Sequence, residues 1–417
     1  MLAGKYAVFG AGAIGKKSIE YLGEKSILFF IDNSAMKQKN GFEGYEVYSL
    51  QESINKIGGL TVVIAVSDRY IDEIIEQLKA NGVIDFKTFN EVFIDFNLGK
   101  INERIDYLGI YNKAISWIKR NTIEGQGIRN NSDINRAYPE VTGYYIPTLL
   151  NWEYRDLAIQ YAKWLCDIQK DDGSWYDTDD KEAYVFDSAQ ILKGLIAIRD
   201  ICPEVNDNII RGCDWLVIHI DAEGRFHAVN DSCFEGGNKC SELIHIYALE
   251  PLVKAGQIYS NDKYTLSAKK SIKYYVVNKL DSIMDFNLVS HFYAYVMEGL
   301  VDVGEIEIAK SAMNKIALLQ REDGSVPGYR DVDWVCSTGL FQLAIVWFKL
   351  GEYKRGNKAF DYACRLQNET GGWFGSYLSA RNKKEKCTYF PLVEISWANK
   401  YFLDALYYRN KCLDNFE

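Results

Sequence analysis

The first 100 residues of this 417-residue chain contain no tryptophan, cysteine, histidine or proline, although the chain as a whole holds nine, nine, four and six of them. So abrupt a shift excludes one uniform domain and sets a boundary at Asn97–Ile101, with expected domains at 1–100 and 101–417. Long hydrophobic runs are missing too, which excludes a membrane-spanning helix. Cationic charge is not in surplus. The net charge is −9, which argues against an electrostatic surface for nucleic acid or anionic lipid. The start MLAGKYAVFG lacks the apolar core and small-residue cleavage site of a signal peptide. Nine cysteines, an odd number, then read as reduced thiols and the expected location is cytoplasmic.

What is present in the first segment alternates between strand and helix signals. Tyr6–Phe9, Ile27–Ile31 and Thr61–Val66 are short apolar runs suited to buried parallel strands, and helix-like stretches follow the first and last. Gly10, Gly12 and Gly15 match G-x-G-x-x-G between a strand and a helix, and Asp32 lies 20 residues past Gly12. In that pattern the glycines allow a tight turn, close approach to a pyrophosphate and close helix–strand packing, while the carboxylate accepts ribose hydroxyls. About 97 residues hold one mononucleotide half, so a nucleotide or nucleotide-sugar is favoured over hydride transfer. The alternative is that the glycines only make the turn.

The segments KYAVFGAGAIGKKSIEYLG, ILFFIDNS and TVVIAVSDRYIDEIIEQLKANG resemble the small Rossmann-like domain of PglD-type sugar acyltransferases and of FkbM-associated proteins. The resemblance implies a nucleotide-linked sugar as ligand and a place in bacterial surface-polysaccharide biosynthesis.

The second segment repeats itself. WLCDIQKDDGSWYD, WLVIHIDAEGRFHA, IALLQREDGSVPGY and CRLQNETGGWFGSY each end an apolar helix, supply a polar turn with glycine, and add an aromatic or apolar plug. Their glycines Gly173, Gly224, Gly324 and Gly372 are spaced 51, 100 and 48 residues apart. A degenerate copy is expected near Asp281–Phe286, and an earlier one at Trp117–Ile128, making six helix pairs of about 50 residues. The turns QKDDGSW, QREDGSV and QNETGGW are similar to repeats of squalene and hopene cyclases and of protein prenyltransferase β subunits. That resemblance implies a closed ring rather than an open solenoid. The expected fold class is a small α/β Rossmann-like domain followed by an all-α (α/α)6 toroid.

If each polar turn leads into an inner helix, titratable side chains gather at one mouth of the ring. Glu140, Asp187 and Asp333 are the acid–base candidates, His245, His291 and Tyr293 the proton-transfer or orienting groups. Arg136 is the candidate anion anchor, and Tyr138, Tyr144 and Trp397 offer contact to a sugar. Glu242, Glu394 and Cys336 occupy matching places. Helix capping is the competing explanation for Asp187 and Asp333. Such a set suits epimerase, lyase or hydrolase chemistry on a sugar or uronate, free or carried on a nucleotide or lipid.

Other readings fit less well. DTDD at Asp177–Asp180 matches the acid motif of terpene cyclases in letters but falls in a loop, not at an inner-helix start. Asp333 and Cys336 suit part of a prenyltransferase zinc set, yet no histidine follows His291, and His227, Cys233, Cys240 and His245 lack paired metal-ligand spacing. No metal is expected. A non-enzymatic glycan-binding or partner-docking protein would not need titratable residues facing inward.

Overall fold

The computed structural model describes residues 4–98, 104–227, 241–379, 381–382 and 385–414. It divides into two compact units, residues 1–104 with 377–388, and residues 105–376 with 389–417.

The smaller unit is a five-stranded sheet in the order Val47–Tyr48, Ile27–Ile31, Tyr6–Phe9, Thr61–Ile64, Phe86–Thr88, with every pair parallel. The three central strands are apolar on both faces, as parallel strands covered by helices must be. Phe9, Phe29, Ile31, Val62 and Ile64 pack with Ile74 and Leu78 of the helix Asp68–Ala80 on one face. Tyr21 meets Phe89 and Phe93 edge-on, and Phe93 stacks on Tyr377.

The sheet ends after five strands, the single mononucleotide half that the length of the segment implies. Gly10, at φ +116°, lies where a Cβ would sit 2.4 Å from the Ala65 carbonyl, and a Cβ on Gly15 would be 2.0 Å from the Gly10 carbonyl. Packing between strand and helix therefore explains both. Nothing lies within 4 Å of the Cβ position of Gly12. The Asp32 carboxylate, expected on a ribose, turns back on its own loop. It accepts from Ala11 N at 2.8 Å, Ser34 N at 2.9 Å and Lys37 Nζ at 3.0 Å. Burial pushes its pKa up, but these donors outweigh it and hold the group below its usual value. The donors come from the glycine turn and from its own loop, and they take three of its roughly four acceptor sites.

Among the described residues, the larger unit holds six outer and six inner helical segments. The outer helices are Tyr107–Asn121, Arg155–Asp167, Asn206–Ile218, Asp262–Asn278, Ile306–Ala317 and Tyr353–Arg365. Each leads to an inner segment: Pro139–Asn151, Val185–Ile198, Glu242–Ala248 continuing as Leu249–Ile258, Ser290–Asp302, Ser337–Lys349 and Ser396–Asp414. Neighbouring inner segments pack on one another in this order, and the last packs on the first, so the ring closes. Burial distinguishes the two sets. Every residue from Ser337 to Phe348 is buried, whereas Tyr353–Arg365 buries only Gly356, Ala359, Phe360, Ala363 and Cys364, a one-sided helical stripe.

The repeated turn works as a joint. Gly173, Gly224, Gly324 and Gly371 have positive φ, and a Cβ on each would lie 2.1–2.6 Å from a carbonyl of the next outer helix, at Arg211, Lys270, Lys358 and Lys113 respectively. Only glycine allows both the backbone and the approach. In the last turn the joint is thus Gly371, not the Gly372 read from the sequence. The glutamine that opens the turn adds a second bond. Gln169, Gln320 and Gln367 each donate Nε2 to their own turn's glycine carbonyl and to the next outer helix, at Asn208, Arg355 and Ile110. The plugs Trp175 and Trp373 donate Nε1 back to Leu165 and Ala363. Contacts from Gln367 and Gly371 reach the first outer helix, which joins the end of the repeat to its beginning.

Candidate functional site

Because outer and inner helices alternate, all inner segments run the same way and their N-termini share one mouth. Glu140 is the second residue of its helix, behind Pro139, which pre-sets the first turn. Asp187 is the third residue of Val185–Ile198, and His291 the second of Ser290–Asp302. Placing carboxyls in the first turn is favourable for the helix itself.

Glu140 and Asp187 are brought together, and their electrostatics are unusual. Burial is the chief cause of a Glu140 pKa raised to about 7, against a hydrogen bond from the Tyr138 hydroxyl and the field of Lys400, both of which pull it down. Asp187 is raised well above its usual value by burial first, then by the negative charge of Glu140 and of Asp177. The two carboxyls therefore hold a proton at neutral pH. Asp187 and Tyr138 are enclosed by protein atoms yet keep part of their surface accessible, as groups lining a recess do.

Beneath this pair the sixth residue of every inner segment forms a layer: Tyr144, Gln190, Tyr247, Tyr295, Gln342 and Tyr401. Tyr295 hydrogen-bonds Tyr144 and Tyr401, and the Tyr401 hydroxyl lies 3.4 Å from that of Tyr247. Gln342 Oε1 is 3.0 Å from His291 Nδ1, and its Nε2 donates to Glu298 at 2.9 Å. Since the amide nitrogen faces Glu298, the oxygen faces His291, so Nδ1 carries the imidazole proton and Nε2 is left as an acceptor. Burial drops the His291 pKa to about 3, so the ring is neutral.

Deeper again lies an ion cluster. Lys349 Nζ is 2.9 Å from Glu298 and 2.7 Å from Asp302, Lys193 is 3.7 Å from Asp302, and Lys400 is 2.8 Å from Asp404. Burial alone would raise Glu298, but Lys349, Lys400 and Lys193 bring it down to about 2.

Other residues singled out in the sequence lie elsewhere. Tyr293 donates to the Ile283 carbonyl at 3.0 Å and packs on Phe286, away from the layer that Tyr295 joins. His245 is buried against Phe226, its pKa lowered to about 3 by burial. Asp333 accepts from Arg321 in the loop before its helix. Arg136 is exposed and pairs with Asp179 at 2.6 Å, so it holds a loop acid. Tyr144 lies in the layer itself, over which Lys400 Nζ sits 4.9 Å from its ring. Trp397 Nε1 donates to the Tyr389 hydroxyl at 3.0 Å. Glu242 is paired with Arg225 and Lys279, and Glu394 accepts from Trp117 and Asn368, 277 and 26 residues away. Cys336 caps its helix through Gly339 N, and burial pushes its thiol up to about 12. Among the described residues no group of His, Cys, Asp and Glu is placed to hold a metal; Cys233 and Cys240 lie outside those residues. Within DTDD, Asp179 and Asp180 form exposed pairs with Lys181 and Lys170.

The sequence reading missed Tyr295, Glu298, Gln342, Lys400 and Tyr401. The signal was available as helical spacing from residues already chosen: His291, Tyr295 and Glu298 stand at i, i+4 and i+7.

No family model matches the chain, and no curated protein matches it. Solved structures do. An alpha-amylase from Clostridium perfringens is 16% identical with a TM-score of 0.54, covering 72% of this chain and 97% of its own. An unsaturated glucuronyl hydrolase specific for heparin gives 14% and 0.54 over 73% and 97%. A D-mannose isomerase gives 12% and 0.55 over 73% and 97%. These are α/α-toroid enzymes, and they correct both resemblances drawn from the sequence, the PglD-type domain and the squalene-cyclase-type ring. They correct the fold class as well: the relatives are toroids that span most of this chain, not a Rossmann-like domain joined to a toroid. What the likeness establishes is the α/α toroid.

Proposed function

We propose that this chain is a carbohydrate-active enzyme of the hydrolase or lyase type, working by acid–base chemistry at the mouth of the toroid. The observation that carries the reading is the Glu140–Asp187 pair, two carboxyls that remain partly protonated at neutral pH because burial outweighs the field of Lys400. A protonated carboxyl beside an ionised one can give a proton to a leaving oxygen while its partner takes one from water or carbon. Glu140, with its pKa of about 7, is suited to exchange protons at working pH. Asp187, on the open side of the pair, is suited to contact the substrate. Tyr138 orients Glu140 through its hydroxyl.

The toroid relatives support the substrate class, since they include an amylase, a glucuronyl hydrolase and a sugar isomerase. The tyrosine layer supports it independently, because aromatic faces and hydroxyls are what a sugar ring packs on. No described helix is long and apolar enough to cross a membrane.

The test is a panel of neutral and uronate oligosaccharides with release of reducing ends as the readout. Glu140→Gln and Asp187→Asn are each expected to lower kcat about 10²–10⁴-fold with the fold intact. Turnover at the wild-type level in both variants would remove the pair from the mechanism.

A further inference from the structure

Of the six residues in the layer below the carboxyl pair, five have their polar groups engaged. The four tyrosines bond to one another or lie in hydroxyl contact, and Gln342 bridges His291 and Glu298. Gln190 is different. It is fully buried, and neither its Nε2 nor its Oε1 has a hydrogen-bond partner. A buried amide with both ends unmet costs free energy, so such a group in a native interior calls for an explanation.

The direction of the side chain follows from the contacts around its helix. Ile191 and Gly194 face the helix Pro139–Asn151, where Gly143 packs on both. Ser188 and Leu192 face outward, against Trp175 and Gly212. Phe186 and Lys193 face Tyr247. At 100° per residue the direction left for Gln190 is the ring axis, one turn below Asp187.

We infer that Gln190 is a substrate-binding residue of the proposed sugar site, and that it takes two neighbouring hydroxyls of a neutral sugar ring rather than a uronate carboxylate. This rests on the acid–base reading above and adds the substrate class. A primary amide offers donors at one end and an acceptor at the other, and a vicinal diol meets both at once. A carboxylate placed on the amide would bring only acceptors and leave Oε1 without a donor; a uronate ring keeps the same diol, so it is the charge of its carboxylate that must be disfavoured. His291 Nε2, the other group presented from this side, is also an acceptor and calls for a hydroxyl. The three lysines along the axis are no help to an anion, because Lys193, Lys349 and Lys400 are each already within 4 Å of a carboxylate. The ionised member of the Glu140–Asp187 pair would repel one. Contact with a sugar then requires the amide, which no hydrogen bond anchors, to turn about its side-chain torsions toward the mouth.

Titration calorimetry of the full chain with methyl glycosides of glucose, mannose and galactose, and with the matching uronic acids, is the first measurement. At least one neutral glycoside should bind, and the acids at least about 10-fold more weakly. Gln190→Met, close in shape but without the amide, should weaken the neutral sugar about 10- to 100-fold while leaving the sugar-free melting temperature unchanged or higher. A lowered melting temperature, or unaltered binding, would make Gln190 a structural residue and overturn the inference. Binding of the uronic acids alone would overturn it without the variant and leave the acid–base reading standing. No binding and no turnover of either class would bring down both.

Discussion

Two buried groups of carboxylates lie along the same axis and behave in opposite ways. At the mouth, Glu140 and Asp187 are pushed up by burial and by each other. Toward the other end, Glu298 is equally enclosed yet held down to about 2, because lysines surround it. Burial is common to both, so burial does not make the difference; compensation does. Nearby cations and a glutamine amide offset the cost of removing Glu298 from water, and that cluster ties the inner helices together. The mouth pair has only the Tyr138 hydroxyl and the field of Lys400, which burial outweighs, and its remaining electrostatics are available to a substrate. In a toroid whose inner helices carry buried ionisable groups at several levels, the site is marked less by the presence of charge than by charge that the protein has not neutralised.

That contrast can be broken in several ways. The largest effect is expected from Glu298→Ala, which takes one of two carboxylates from buried Lys349 and the acceptor from Gln342 Nε2, and should cost about 3 kcal/mol of stability, read by denaturant unfolding. If unfolding is unchanged, the cluster does not brace the ring. At the mouth the sign should reverse. Asp187→Asn removes an uncompensated buried acid, so its melting temperature at pH 8 should match or exceed that of the wild type, while turnover falls; a clear loss of stability would show that Asp187 is a structural cap. Next in size is the pH dependence of stability. Glu140 binds its proton more tightly folded than unfolded, so its contribution is full below its ordinary value of 4.5 and is lost as pH rises through about 7. Glu298 runs the other way, its contribution present above 4.5 and lost only as pH falls toward about 2. Melting temperature should therefore decline between about pH 5 and 8, and Glu140→Gln should flatten that decline. An unchanged slope in the variant would assign it to other groups. The smallest effect belongs to Arg136→Ala. Its ion pair with Asp179 is largely exposed, so stability should move by no more than about 0.5 kcal/mol. A large change in sugar affinity would restore Arg136 to the site.

The sequence made parts of this arrangement legible and hid others for physical reasons. The repeat was readable because a glycine at positive φ against a neighbouring carbonyl tolerates no substitute, and the glutamine, glycine and tryptophan recur at fixed offsets. The copy near Asp281–Phe286 has no glycine, and there the pattern faded as expected. Gly372 was taken for Gly371 because two adjacent glycines look alike in letters and differ only in φ. Glu140, Asp187 and His291 stand out in the sequence because they open helices after polar turns. Tyr293 was preferred to Tyr295 because a residue two places along a helix faces away, and proximity in sequence says nothing of face. Asp32 shows a harder limit. Whether a carboxylate after a strand reaches for a ligand or folds onto its own loop depends on donors such as Ala11 N and Lys37 Nζ, whose positions spacing does not encode.

The glutamine and glycine joint has a consequence for how the larger unit comes apart. Linear arrays of helix pairs have two outermost members, each with one exposed flank, and they unravel from those ends. Here Gln367 and Gly371 dock on the first outer helix as Gln169 and Gly173 dock on the third. Every hairpin has two neighbours, and none is the first to go. Loss of any one joint opens the circle and exposes two flanks together, so melting should be all-or-none rather than gradual. Assembly carries the matching burden. Its final contacts join residues more than 250 positions apart, which makes closure of the circle a slow and late event.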